Sequence, residues 1–232
     1  PQAAFILTTR PAGYRDYSGE KFDTGLFIRP FQETQQADFV KRWYQLQERY
    51  SRGNRDTDKV RHEAEQKAEN LLAQLKQNHD LGQMADNPLN LNMIAQLLRY
   101  YGEALPQNRA DLYRRMCELQ LDKRPRAKRK ELVIPYPANQ KVLQGIALVM
   151  MQEGSQLQLA LADVVKLAQK HIKRLHKDDL EEIGEVVESG DISTKLVKRF
   201  VEQVVEVSEL MVQREADDYQ FAHRSFQEYL AA

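Results

Sequence analysis

The chain has 232 residues, 42% of them apolar and 29% charged, which allows one large globular domain or two small ones with an ordinary soluble surface. Lysine plus arginine total 34 and aspartate plus glutamate total 34, so no net charge draws the chain to nucleic acid or an anionic membrane. The longest apolar run, "GIALVMM", is far below the roughly 20 residues that cross a bilayer.

The chain opens "PQAAFILTT", with neither the charged region and apolar core of a signal peptide nor an initiator methionine, and is expected to be a piece of a longer protein. "AFILTT" at 4–9 predicts a buried strand, short, apolar and closed by Pro11. A loop with Gly13 and Gly19 follows, then a second short strand, "GLFIRP", ending at Pro30. The period then changes. Phe39, Trp43, Leu46 and Tyr50 stand at i, i+4, i+7 and i+11, one face of an amphipathic helix, which "SRGNRDTD" breaks. Ala64, Ala68, Leu71, Leu72 and Leu75 mark the next helix. At "DNPLNLNMIAQLLRYY", Asn87 is an N-cap candidate and Pro88 takes the first helical position, where a missing N–H costs nothing. Leu112, Met116 and Leu119 mark a further helix, in which Cys117 reads as a small core residue; one cysteine suits a reducing cytoplasm.

A boundary falls at 123–138, where six basic residues occupy positions 123–130 and Pro125, Pro135 and Pro137 follow one another closely. Beyond it come a helix over 139–152, the alternating run "LQLAL", a helix over 162–175, an acidic loop and a helix over 194–207. "ELMVQRE", the turn "ADD" and "YQFAH" predict a hairpin. Helices closed by a two-stranded wing predict a winged helix. In the last segment "SFQE" predicts a capping box, with Ser225 as cap and Glu228 three residues on.

Catalytic signatures are absent. No Gly-Lys dipeptide occurs, which excludes the loop G-x-x-x-x-G-K-[ST], and no apolar strand runs into paired acids. His171 and His176, five apart, align poorly as metal ligands on a helix, and no G-x-S-x-G elbow exists. The chain alone is not expected to hydrolyse anything. Three residues stand out, each with a plain alternative. Arg10 follows the first strand, where it can meet a phosphate or simply close the strand. Pro88 can lie against a ligand ring or merely start its helix. His223 follows the alternation of Tyr219 and Phe221 and precedes a helix start, an anion-friendly place, or it packs under the wing. The run "KRPRAKRK" can touch DNA or be a solvated linker balanced by six acids between 178 and 188. The candidate recognition helix over 193–210 mixes Lys195, Lys198 and Arg199 with Glu202, Glu206 and Glu209, a poor phosphate binder.

In order, "FILTTRPAGY", "FIRPFQETQQADFVKRWY", "NPLNLNMIAQLL" and "YQFAHRSFQEYLAA" resemble the second half of a NACHT-family NTPase. This family belongs to the STAND class of signalling ATPases, relatives of AAA+ proteins and NOD-like immune receptors. The resemblance implies a mainly α architecture in three parts: the last strands of a P-loop, AAA+-like nucleotide-binding domain (1–30), a helical domain (31–122), and, after the linker 123–138, a winged-helix domain with a β-hairpin wing (139–232). It implies that "TTRP" is the sensor 1 segment with Arg10 reading the γ-phosphate, that Pro88 flanks the nucleotide's base or sugar, and that His223 contacts the β-phosphate of ADP. ADP or ATP, with magnesium held elsewhere in the parent protein, is the implied cofactor. The implied partners are an upstream P-loop half, like copies in an oligomer formed on activation, and a downstream sensor. Read without the resemblance, the same chain also fits a winged-helix nucleic-acid module or a helical protein-interaction adaptor.

Overall fold

The computed structural model describes residues 25–102, 105–152, 158–175, 179, 192–215 and 217–232. The chain divides into two units, Pro1–Pro30 and Phe31–Ala232. Of the first, residues 25–30 carry no regular secondary structure, and Leu26, Phe27 and Ile28 are exposed. The strand expected over "GLFIRP" is therefore not formed: a strand exists only through a ladder with a neighbour, and this segment has none among the described residues. The strand expected over 4–9 lies outside the described residues.

The second unit begins with four helices: α1 (Glu33–Ser51), α2 (Asp58–Gln77), α3 (His79–Ala85) and α4 (Pro88–Tyr101). The starts of the last three are set by short polar side chains, and that of α1 by Gln35 Oε1, which accepts from Gln32 N at 2.9 Å. Thr57 Oγ1 accepts from Val60 N at 3.3 Å, Asn78 Oδ1 from Leu81 N at 3.2 Å, and Asn87 Oδ1 from Leu89 N at 2.8 Å. α4 ends at Gly102, whose left-handed φ of 70° lets its N–H reach Leu98 O at 2.8 Å. α2 buries Val60, Ala64, Ala68, Leu71 and Leu75 as its alanine and leucine spacing predicts, with Leu72 half-buried.

α1 is correct as a helix and rotated as a surface. It buries Gln36, Val40, Tyr44 and Glu48, while Leu46 is 65% and Tyr50 83% exposed and Phe39 and Trp43 are half-buried. The cause is long-range pairing. Gln36 Nε2 donates to Asp86 Oδ1 at 2.8 Å, and Glu48 Oε1 accepts from Lys67 Nζ at 2.9 Å and Arg99 Nε at 3.4 Å. Polar groups satisfied in this way can be buried.

α5 (Arg109–Glu118), capped by Asn108, runs without a break into a π-helical turn (Leu119–Lys123) and α6 (Arg124–Ala127), with Pro125 buried. The basic segment thus starts as helix. It is also stitched down: Gln203 Nε2 donates to Glu131 O at 2.7 Å, Val133 N donates to Gln203 Oε1 at 3.0 Å, and Arg124 forks onto Glu209 at 3.1 and 3.2 Å.

Then follow α7 (Ala138–Gln152), β1 (Leu159–Ala160), α8 (Leu161–Ile172), α9 (Thr194–Glu206), β2 (Met211–Glu215), β3 (Asp218–Phe221) and α10 (Arg224–Ala231). The predicted hairpin forms, with Met211 opposite Phe221 and Gln213 opposite Tyr219, and an irregularity between Gln213 and Glu215. It gains a third antiparallel strand in the order β1-β3-β2, since Leu159 of the alternating run "LQLAL" pairs with Tyr219. Three apolar helical stripes pack into the core behind the sheet: Val142, Leu143, Ile146 and Met150 of α7, Val164, Ala168 and Ile172 of α8, and Leu196, Val197, Phe200 and Val204 of α9. α7 and α8 approach so closely that a Cβ on Gly145 would lie 2.2 Å from His171 Nδ1. No described helix is long and apolar enough to cross a membrane.

Candidate functional site

Two of the three singled-out residues fall on described structure. Arg10 lies outside it.

Pro88 opens α4 and is exposed. The junction before it is held from both sides. Phe31 N donates to Asp86 O at 2.8 Å, tying the junction to the start of α1, and Asn87 Oδ1 caps α4 through Leu89 N and, at 3.4 Å, Asn90 N. One turn on, Asn92 Oδ1 accepts from Trp43 Nε1 at 2.9 Å. The proline therefore stands on a preformed, outward-facing helix start.

His223 is the N-cap residue of α10, in extended conformation (φ −139°, ψ 135°) and exposed. β3 delivers it: Tyr219 and Phe221 are buried and Ala222 N still donates to Leu210 O at 2.9 Å, after which the chain bends outward. His223 thus leaves the alternation of the strand instead of extending it under the wing. Its carbonyl accepts from Phe226 N at 3.0 Å and Gln227 N at 3.4 Å, while its ring makes no capping bond. This corrects the capping box. The helix begins at Arg224, so Ser225 sits inside the first turn, and Glu228 binds Arg224 Nε at 3.0 Å as an i,i+4 pair. The first-turn amides that attract an anion thus begin directly after His223.

The side chain that links these two helix starts is not among the three residues that stand out in the sequence. Tyr113 of α5, 2% exposed, donates its hydroxyl to Asn90 Oδ1 at 3.1 Å. Its ring meets Phe226 edge-on, centroids 5.2 Å apart, and stacks on Tyr229 at 5.8 Å. The one aromatic in "RADLYRRM", next to the core-facing Leu112, was the available signal.

Other chemistry is quiet. Burial pushes the Cys117 thiol up to about 12, which keeps it protonated, a core residue as expected. Glu48, Lys67 and Arg99 meet beside a cleft of about 320 Å³ that Tyr44 and Asn70 also line. Burial raises the Glu48 carboxyl, but the two cations outweigh it and hold the group below the usual carboxylate range. Burial also pushes the Tyr44 hydroxyl up to about 12. No cluster of three metal-ligating side chains occurs among the described residues.

A helical body whose small antiparallel sheet supplies a wing, followed by one more helix, defines a winged-helix protein. Residues 109–232 match the family of the winged helix-turn-helix domain C-terminal to NACHT, starting at the first residue of α5. The chain belongs to that family, and its architecture corresponds to the C-terminal half of a NACHT protein. Neither the curated proteins nor the solved structures contain a match.

Proposed function

We propose that this chain is the nucleotide-sensing regulatory half of a NACHT signalling ATPase. In that reading ADP, held by an upstream P-loop half, is clamped by Arg10, Pro88 and His223 in a closed state, and exchange for ATP releases the winged helix and permits oligomerisation. The observation that carries it is the position of His223 in a NACHT-associated winged helix: exposed, at the N-cap of α10, next to its first-turn amides. An imidazole beside such amides fits a phosphate, and an exposed proline on a fixed helix start fits the flat face of a base or sugar. A ligand shifts a two-state equilibrium only through contacts that differ between the states, and a side chain meeting ADP in the closed form alone supplies such a contact. The intact protein would then work in the cytoplasm, with magnesium bound outside this chain.

His223→Ala in the intact protein tests the role. A charged hydrogen bond contributes about 1.5–3 kcal/mol, so ADP retention should weaken by roughly ten- to a hundredfold, with more oligomer at rest. Unchanged ADP affinity and a monomeric variant would remove His223 from the site. The nucleic-acid reading is less well supported: of the bases in 123–130, Lys123 and Arg126 pair with Asp122 and Arg124 with Glu209.

A further inference from the structure

Tyr113 of α5 touches two other elements at once, α4 and α10. Its hydroxyl bond to Asn90 Oδ1 lands on the turn that Asn87 caps and Pro88 opens, because the Asn90 N–H itself donates to Asn87 Oδ1. Its ring contact with Phe226 lands on the turn that His223 opens, because Phe226 N donates to His223 O. Tyr229, one turn further along α10, stacks on the same ring at 25° between planes. The Arg109 guanidinium lies 5.6 Å from the ring centroid, on the side chain's own helix.

We infer that Tyr113 is a positioning residue that fixes the Pro88 turn of α4 against the His223 turn of α10, so that displacing one displaces the other. The chemistry favours an all-or-none link. Asn90 is 8% exposed, and a buried amide oxygen that loses its donor carries the desolvation penalty without compensation. α4 therefore does not slide gradually past α5; the bond is made or it is broken. The aromatic contacts are less directional and keep Tyr113 with α10 in either case, so α10 feels the change through the ring. If the nucleotide reading above is right, this is how a ligand against Pro88 and one against His223 act on each other. The coupling itself rests only on the geometry.

Hydrogen exchange of the nucleotide-free protein tests it. Asn90→Ala, in α4, should speed amide exchange over 224–231, in α10, by about fivefold or more. Tyr113→Phe keeps the ring and loses the hydroxyl, and adding Asn90→Ala to it should change exchange over 224–231 by less than about twofold, since the link is already cut. Unchanged exchange over 224–231 in Asn90→Ala would overturn the inference, and so would an equal effect of Asn90→Ala with and without the Tyr113 hydroxyl. Should Asn90→Ala not fold, Asn90→Leu removes the acceptor at closer volume and is judged by the same criteria. ADP retention by Tyr113→Phe in the intact protein separates the two readings. Altered exchange with unaltered ADP retention leaves the coupling standing and removes its role in the nucleotide response.

Discussion

Replacing Gly145 by alanine puts a methyl carbon 2.2 Å from His171 Nδ1 and 2.4 Å from its Cγ and Cε1. These separations are far inside van der Waals contact, so the imidazole or helix α7 must move. Two effects oppose each other. Alanine in a helix interior is favoured over glycine by about 1 kcal/mol, whereas overpacking a core of this kind costs about 1–3 kcal/mol. The second wins, and the variant should lose about 1 kcal/mol, or roughly 2–4 °C in melting midpoint for a chain of this size. In a His171→Ala background the obstacle is gone and the same substitution should instead gain about 1 kcal/mol from helix propensity alone. Urea denaturation of the four proteins, followed by far-ultraviolet circular dichroism, reads both signs. If Gly145→Ala raises the midpoint equally with and without the imidazole, the close approach of α7 to α8 is not a packing constraint and the reasoning fails.

The same histidine gives a pH dependence. Burial, then the charges of Arg174 and Lys170, hold its imidazole below the ordinary 6.5, and its Nε2 is buried with no hydrogen-bond partner among the described residues. The unfolded chain therefore takes up the proton first on acidification, so stability should fall as pH drops below about 6.5 and be flat above it. Urea midpoints at pH 7.5 and 5.5 should differ in the wild type and differ less in His171→Gln; an equal difference in both assigns the effect elsewhere. Glu48 acts lower on the scale: its folded carboxyl lies below the ordinary 4.5, so its contribution is complete above that value and lost as pH falls through the folded pKa. Glu48→Ala at neutral pH should cost about 1–2 kcal/mol, less than the usual 3–5 for breaking a buried pair, because the Lys67 and Arg99 left behind can reach water. A variant as stable as the wild type in urea at pH 7 would show that the cluster contributes nothing.

What was legible in the sequence is what neighbouring residues decide. Asn87 before Pro88 fixes a helix start by chemistry contained in three residues, and the alternation around "ADD" fixes a hairpin in the same way. What failed depends on residues far apart in sequence. α1 was read from its largest apolar side chains, yet Gln36 and Glu48 take the buried positions because Asp86, Lys67 and Arg99, contributed by other parts of the chain, satisfy them. The capping box failed for a subtler reason. "SFQE" fits the pattern, but the His223 carbonyl already accepts from Phe226 N, so the helix is under way before Ser225 can cap it. β1, two residues long, exists only because β3 is there to receive it. Of the candidate site, the sequence showed the start of α4, placed the cap of α10 two residues late, and missed Tyr113, whose partners lie 23 positions before it, at Asn90, and beyond the wing, at Phe226 and Tyr229.

The bonds around the basic segment show which parts of this unit are tied to one another. Gln203 of α9 holds the backbone of Glu131 and Val133 with both ends of its amide, Arg124 forks onto Glu209 just before β2, and Asn139 Nδ2 of α7 donates to Leu121 O in the π-helical turn at 3.1 Å. These bonds tie the chain between Leu121 and Val133 to α7, to α9 and to Glu209 at several successive points. On the other side, Glu48 binds α1 to α2 through Lys67 and to α4 through Arg99, and Gln36 binds α1 to the α3–α4 junction through Asp86. One hydrophobic core runs through both groups, and the Tyr113 hydroxyl bond to Asn90 joins α5 to α4 across it. A displacement of α1–α4 relative to the remainder therefore has to break that bond, whereas Arg124 of the six-base segment, whose composition first suggested a boundary, pairs with Glu209 within the remainder.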